Sequence, residues 1–293
     1  MLNLHIENVT ALGDVFEITE SRLNEALTRH PDIANEFKIT IGYDGYGFRQ
    51  AIANADVLFA WDFERTELAA IAPRLLWIQL QGAGVNHLLP LNWIPQGVTL
   101  TNSRGVHGKR ASEYVMMAIL ALNNGLPKMM TNQRERRWRQ VHNSAIDGKT
   151  LLIFGTGHVG SDVAASAKHF GLYVIGIRRT GGPCVNVDEM HRPNALHTLL
   201  PRADFILITA PHTPLTDRII NRNAFALMKQ GAGIINYSRS RLLDYDALRE
   251  ALNAGTVNAV VDVFDEEPLP ESSPLWHTPN LIITPHSSSN DQA

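Results

Sequence analysis

The run Leu151-Leu152-Ile153-Phe154 passes without a break into Gly155-Thr156-Gly157-His158-Val159-Gly160, and a helical pattern continues to His169. A buried strand that turns into a helix across three glycines at this spacing leaves few folds open. Gly155 permits the tight turn, Gly157 lets a pyrophosphate approach the backbone, and Gly160 lets helix and strand pack closely. The helix N-terminus then presents unpaired amides and the positive end of its dipole to phosphate. Gly155, Thr156, Gly157, His158, Val159 and Gly160 are therefore the expected dinucleotide cradle, against the plainer reading of a glycine turn.

The surroundings of this loop agree with it. Short apolar runs at 150–154, 173–177, 205–209, 233–236, 259–263 and 281–284 read as strands separated by helical stretches. Upstream, runs at 37–41, 57–60 and 75–80 alternate with a helical pattern at 21–28. Strands separated by helices imply parallel sheets covered on both faces. The expected class is α/β, with two doubly wound parallel-sheet domains. A long helix at about 112–123, apolar on nearly every side, is expected to be buried, and 132–147 reads as an exposed polar connection rich in arginine.

Composition excludes several other classes. The chain has 293 residues, a formal net charge of -3 and a single cysteine, Cys184. Neither an intrachain disulfide nor a cysteine zinc cluster can form, and no metal is expected. The only dense basic stretch, Arg134-Glu135-Arg136-Arg137-Trp138-Arg139, is short and interrupted, so no nucleic-acid partner is expected. The longest apolar run, 114–122, is far below the roughly twenty residues of a membrane span. The amino terminus lacks a basic start followed by an apolar core, so neither a membrane nor a secretory route is expected and the location is read as cytoplasmic.

The strand after the glycine loop ends at Arg178-Arg179-Thr180. An NAD site usually places a carboxylate here for the ribose hydroxyls; a carboxylate would repel a 2′-phosphate, whereas guanidiniums attract it. NADP is favoured through Arg178, Arg179 and Thr180, with NAD left open.

Three further segments resemble the signature blocks of the D-isomer-specific 2-hydroxyacid dehydrogenases, of the glyoxylate/hydroxypyruvate reductase kind. They are Asn236-Tyr237-Ser238-Arg239-Ser240, Asp262-Val263-Phe264-Asp265-Glu266-Glu267-Pro268-Leu269 and Thr284-Pro285-His286-Ser287. The resemblance runs from about Gly82 to His286 and includes Gly148-Lys149, Pro214, Thr216 and Pro274-Leu275-Trp276. It implies a flavodoxin-like substrate domain at 1–101, to which 288–293 can return, and an NAD(P)-binding Rossmann domain at 102–287, with the chemistry in the cleft between them. It also implies a homodimer built around the long helix. The activity implied is NADP-dependent reduction of a small 2-oxo acid to a D-2-hydroxy acid.

The residues make chemical sense in those roles. Each segment follows a predicted strand, and doubly wound sheets bind ligands outside the carboxyl ends of their strands. Reduction of a ketone by hydride needs a proton, which His286 can supply as general acid. Glu267 is the matched carboxylate that would stabilise its imidazolium, with Glu266 a neighbouring alternative. Arg239 can bond the substrate carboxylate and polarise its carbonyl through a fixed fork of donors. On the cofactor side the resemblance places Ala210, Pro211, Thr216, Tyr237, Ser238 and Asp262. Asp262 is matched to the residue near the nicotinamide carboxamide, or else is a structural carboxylate at a strand end. Ala83, Gly84 and Val85, in Gln81-Gly82-Ala83-Gly84-Val85-Asn86, match a loop whose amides bind the substrate carboxylate together with Arg239 and His286.

Some positions depart from the pattern. Asn86 stands where an acidic residue is usual, and Ser240 where a glycine normally follows the arginine, so a shifted Arg239 or a strained backbone is expected there. The family continues past its histidine with a returning helix, whereas this sequence ends at Ala293. Trp138 either packs on the surface or reaches a substrate pocket of a partner subunit. Two other functions share the scaffold: a non-catalytic dinucleotide sensor like the C-terminal-binding-protein corepressors, and a formate or phosphite dehydrogenase.

Overall fold

The computed structural model describes residues 1–288 and divides the chain into two compact units, the first comprising Met1–Val106 and the second beginning at His107. Of the segment 288–293 read as returning to the first domain, only Ser288 is described, and it belongs to the second unit; the rest lies outside the described residues.

In the first unit β1 (Leu2–Asn8), β2 (Phe37–Tyr43), β3 (Val57–Ala60), β4 (Trp77–Leu80) and β5 (Thr99–Asn102) form a parallel sheet in the order β2-β1-β3-β4-β5. This is the flavodoxin-like order. Phe48, Ile52, Leu58, Ile78 and Leu80 fill its core. Sequence patterning missed β1, although it lies near the middle of the sheet, because its inner positions include His5 and Glu7. Both are buried at 2% exposure. They are tolerated because every polar atom is matched: His5 Nε2 meets Glu7 Oε2 at 2.9 Å, His5 Nδ1 meets Thr40 Oγ1 at 2.9 Å, and Gly45 N donates to Glu7 Oε1 at 2.6 Å. β5, a short edge strand of alternating threonines, was missed for want of an apolar run.

The second unit opens with the helix Gly108–Asn123, four residues before its expected start. Its sheet comprises β6 (Thr150–Phe154), β7 (Tyr173–Ile177), β8 (Glu189–His191), β9 (Phe205–Ile208), β10 (Ala232–Asn236), β11 (Val257–Val261) and β12 (Leu281–Ile283). All pair in parallel, in the order β12-β11-β10-β9-β6-β7-β8. Read from β6, this is the Rossmann arrangement with one further strand at β12. The period of two sorts the strands onto two faces. Leu151, Ile153 and Leu207 pack against Val115 and Ile119 of the long helix and Val163 and Ala164 of the helix His158–His169. Leu152, Phe154 and Ile208 pack on the opposite side against Leu248 and Leu252 of the helix Tyr245–Asn253.

The long helix is not apolar all round: Lys109, Arg110, Glu113 and Met117 face outward, Met117 at 53% exposure. The expected polar connection at 132–147 begins inside a second helix, Leu126–Arg134, where Asn132 is buried. The rest of that stretch is irregular, and Trp138 is 95% exposed, which excludes surface packing within the chain.

β8, also missed, is three residues long and holds its edge position through charge. Tyr173 Oη donates to Glu189 Oε1 at 2.8 Å and Arg202 Nη1 to Oε2 at 3.0 Å, and His191 Nε2 lies 3.1 Å from Oε2. Arg202 first, then Tyr173 and His191, pull the Glu189 carboxyl down to about 2. A carboxyl depressed on folding stabilises above its unfolded value near 4.5, and the gain is lost as pH falls toward about 2. The side chain is 28% exposed, which screens part of the effect. Glu189→Gln should therefore cost about 1 kcal/mol at neutral pH, with the difference closing between pH 4.5 and 2. Equal urea midpoints for the two proteins at pH 7 would reject this anchor.

Candidate active site

In the second unit β6 and β9 are bonded neighbours, but the chain leaves β6 toward β7 and returns to β9 on the other flank. Strand order reverses here, and this is where open α/β sheets bind ligands. The loops after the two strands touch: Thr209 Oγ1 donates to Gly155 O at 2.7 Å. Gly155 has φ +116, and a Cβ on it would lie 2.4 Å from Ala210 N; one on Gly160 would lie 2.4 Å from Gly155 O. Among the described residues, the N–H groups of His158, Val159 and Gly160 find no acceptor, so the start of this helix offers a row of free donors. A close backbone cradle with unpaired amides fits a dinucleotide pyrophosphate. Thr156 does not present its side chain to that cradle; it is 3% exposed, with Oγ1 turned toward Met190 Sδ.

After β7, Arg178 Nε donates to Gly182 O at 2.9 Å and Nη2 donates to Pro183 O, so this guanidinium braces its own loop. Arg179 and Thr180 are exposed, and Arg179 has no ion-pair partner among the described residues. Along the other loops, Thr216 Oγ1 donates to Pro211 O at 2.9 Å, and Ser238 Oγ donates to Ala210 O. Thr216 thus braces the loop after β9 internally, and Ser238 ties the loop after β10 to it. The Tyr237 ring lies 6.2 Å from that of Tyr114.

The three catalytic candidates follow three adjacent strands at one sheet edge: Arg239 after β10, Glu267 after β11 and His286 after β12. Neighbouring strands lie about 4.8 Å apart, so their ends span about 10 Å. His286 Nδ1 meets Glu267 Oε2 at 2.6 Å, and Phe264 N donates to Glu267 Oε1 at 2.8 Å. The carboxylate is thus held by its own turn and in turn holds the imidazole, leaving Nε2 for chemistry. Glu267, not Glu266, makes this contact. Both side chains stay partly open, at 47% for His286 and 34% for Glu267. Arg239 is half-buried; Nη1 donates to its own Ser238 O at 2.7 Å, and no carboxylate lies within ion-pair distance among the described residues. The strain expected from Ser240 is absent: its φ is not positive, because a 3-10 turn begins there, Ser240–Leu242.

Asp262, matched by resemblance to a cofactor contact, is at 0% exposure. Its Oδ1 accepts from Thr284 Oγ1 and from Ser287 N at 3.0 Å, and its Oδ2 from Ser288 N at 3.0 Å and from Ser288 Oγ. Four donors thus meet this carboxylate at the strand end. Tyr114 Oη lies 2.7 Å from Thr284 Oγ1, and burial lifts its hydroxyl to about 12. Sequence reading named Thr284 and Ser287 within a signature block without giving them a role, and gave none to Ser288 or Tyr114; the only signal was a cluster of hydroxyls around a histidine.

In the first unit, the loop after β4 carries Ala83, Gly84 and Val85, whose N–H groups have no acceptor among the described residues. Asn102 Nδ2 ties Ala83 O at 2.7 Å, and a Cβ on Gly82 would lie 2.2 Å from the Trp61 ring, which itself stacks on His87 at 4.3 Å. The loop is therefore a braced turn with free amides. Among the described residues no helix is long and apolar enough to cross a membrane, and no cluster of three metal-ligating side chains occurs.

A Rossmann sheet with a free-amide cradle, beside a carboxylate-braced histidine, defines the class: a dinucleotide-binding α/β protein with a candidate proton donor at its sheet edge. The profile of the D-isomer specific 2-hydroxyacid dehydrogenase NAD binding domain matches residues 116–288, and the chain belongs to that family. D-3-phosphoglycerate dehydrogenase of Methanocaldococcus jannaschii is 30% identical over 279 residues, covering 92% of this chain and 52% of the relative. The chain thus spans about half the length of that relative. The crystal structure of a D-isomer specific 2-hydroxyacid dehydrogenase family protein from Aeromonas salmonicida superposes with TM-score 0.77 at 33% identity, covering 99% of this chain and 90% of that one. An NADPH-dependent glyoxylate/hydroxypyruvate reductase from Sinorhizobium meliloti, solved with NADP and sulfate, gives TM-score 0.80 at 26% identity, with coverages of 99% and 90%.

Proposed function

We propose that this chain reduces a small 2-oxo acid of the glyoxylate or hydroxypyruvate type to the D-2-hydroxy acid, with NADPH as the reductant. The observation that carries this reading is the 2.6 Å contact between His286 Nδ1 and Glu267, at the same sheet edge as an Arg239 that lacks a carboxylate partner among the described residues. His286 delivers the proton from Nε2 to the substrate oxygen, and Glu267 stabilises the imidazolium that precedes the transfer. Arg239 binds the substrate carboxylate and polarises the adjoining carbonyl. In the first unit, the free amides of Ala83, Gly84 and Val85 are suited to a carboxylate. Bound NADPH would supply the hydride; His158, Val159 and Gly160 would hold its pyrophosphate and Arg179 with Thr180 its 2′-phosphate.

The preference for NADP is supported by the exposed Arg179, by the absence of a carboxylate in Arg178-Arg179-Thr180, and by the NADPH dependence of the Sinorhizobium reductase. A homodimer belongs to the same reading, supported by Met117, Leu126, Met129 and Met130, which are exposed on two consecutive helices. A second reading, oxidation of D-3-phosphoglycerate, is favoured by the name of the Methanocaldococcus relative. One assay separates them: cofactor absorbance is followed with glyoxylate, hydroxypyruvate, pyruvate and D-3-phosphoglycerate, each with both cofactors. The expected outcome is fastest loss of NADPH with the two-carbon or three-carbon 2-oxo acids, with NADPH preferred over NADH by about tenfold or more. Turnover confined to D-3-phosphoglycerate would establish the second reading instead.

A further inference from the structure

β7 and β8 run in parallel, with Gly176 opposite Met190 and Ile177 opposite His191, so the next residues, Arg178 and Arg192, leave the sheet side by side. Arg178 N donates to His191 O at 3.1 Å, which holds the two strand ends together. Arg192 is still extended, with φ -87 and ψ 161. The alternation of side chains along a strand therefore carries on to it: Glu189 and His191 share one face, Met190 and Arg192 the other. The first face is closed on itself, since Glu189 bonds Arg202, Tyr173 and His191. The second is the face against which the glycine loop lies, since Thr156 Oγ1 is 3.8 Å from Met190 Sδ. Arg192 thus stands on the dinucleotide side of β8, and the carboxylate of its own strand is turned away from it.

The path of the Arg192 side chain is marked by Gly181. This glycine has φ +68, and a Cβ on it would lie 2.9 Å from Arg192 Cγ and 3.6 Å from Nε. The arginine therefore crosses the turn beside Thr180, at a position where any side chain would displace it. Arg192 is exposed and, like Arg179, makes no ion pair among the described residues. Arg178, by contrast, is committed to Gly182 O and Pro183 O. Thr180 Oγ1 accepts from Gly182 N at 3.4 Å and keeps its own proton to give. Two uncommitted guanidiniums at one turn repel each other unless an anion lies between them. A phosphate monoester, with a charge of about -1.5 to -2 near neutral pH and three acceptor oxygens, matches both cations and the hydroxyl. We propose that Arg192 is a further cofactor-specificity residue: from the neighbouring strand it joins Arg179 and Thr180 in binding the 2′-phosphate of NADP, on a turn that Arg178 shapes. This rests on the NADPH reading above and adds to it a residue from a second strand.

Arg192→Gln tests this by removing the charge at an exposed position. The Kd values for NADPH and NADH are read by cofactor fluorescence at low and at high ionic strength. At low salt NADPH should bind the variant about five- to tenfold more weakly than the natural protein, while NADH stays within about twofold. Added salt should narrow the NADPH difference, because the lost contact is a charge pair at the surface. Arg192→Lys should recover part of the NADPH affinity, since an ammonium keeps the charge but not the planar fork. Combining Arg192→Gln with Arg179→Gln should cost a factor different from the product of the two single losses, as expected of two groups on one phosphate. If Arg192→Gln weakened NADH as much as NADPH, the arginine would be a brace of the turn and the proposal would be overturned. An unchanged Kd for NADPH would overturn it as well. A natural protein that bound both cofactors equally would instead refute the NADPH reading, and Arg192 would fall with it. A natural protein preferring NADPH about tenfold, with that preference intact in Arg192→Gln, would leave the reading standing and remove Arg192 from it.

Discussion

Glutamine at position 286 is expected to lower kcat for 2-oxo acid reduction by about 10²–10⁴-fold, the usual worth of a positioned general acid. His286 meets Glu267 at 2.6 Å through Nδ1, so the ring is oriented by one nitrogen and free to act through the other. A glutamine amide can replace the hydrogen bond to Glu267 but cannot release a proton near neutral pH, so position is largely kept while acid function is lost. The Kd for NADPH should not move by more than about threefold, since the phosphate donors lie on a different loop. The companion Glu267→Gln should lose less, because the imidazole survives with a neutral partner. A glutamine variant whose kcat stays within tenfold of the natural protein would remove His286 from the acid role, whatever happens at Glu267.

How far the sequence carried these conclusions depends on the type of interaction. The strand at 150–154 and its glycine turn were legible because local rules act there: an apolar run, a backbone conformation only glycine tolerates, and a helix start. Arg239, Glu267 and His286 were singled out by the resemblance of their segments to signature blocks, and the apolar runs before them placed those segments just beyond strands. β1 was hidden because its buried face includes a histidine and a glutamate that bond each other and reach Thr40 and Gly45, partners set by tertiary pairing. β8 was hidden because three residues held by Arg202 and Tyr173 carry no periodicity. The same limit applied at the site. Asp262 could be read as a carboxylate at a strand end, but its partners lie more than twenty residues downstream and are small hydroxyls and amides with no pattern of their own. Ser240 shows the converse: a departure from the family pattern that local reasoning marked as strained is absorbed by a short turn at no cost in φ.

Removal of the Arg239 side chain is the second substitution expected to have a large effect, and it tests a different part of the site. The guanidinium stands at the end of β10 with Nη1 bound to its own Ser238 O, and among the described residues no carboxylate competes for the rest of its donors. A half-buried cation in that condition has spare hydrogen-bonding capacity for an anion, and a 2-oxo acid carries its carboxylate directly beside the carbonyl to be reduced. Arg239→Ala should therefore lower kcat/KM for a 2-oxo acid by about 10²–10³-fold, as expected when one member of a desolvated charge pair is deleted. NADPH affinity should be left largely intact. Arg239→Lys should recover only part of the loss, because an ammonium is a point charge and not a planar fork. The decisive comparison uses a small aldehyde lacking the carboxylate: against that substrate the natural protein and Arg239→Ala should differ far less, since the partner of the guanidinium is absent in both reactions. An equal loss on the carboxylate-bearing and carboxylate-free substrates would mean that Arg239 supports the fold of the loop and does not hold the acid.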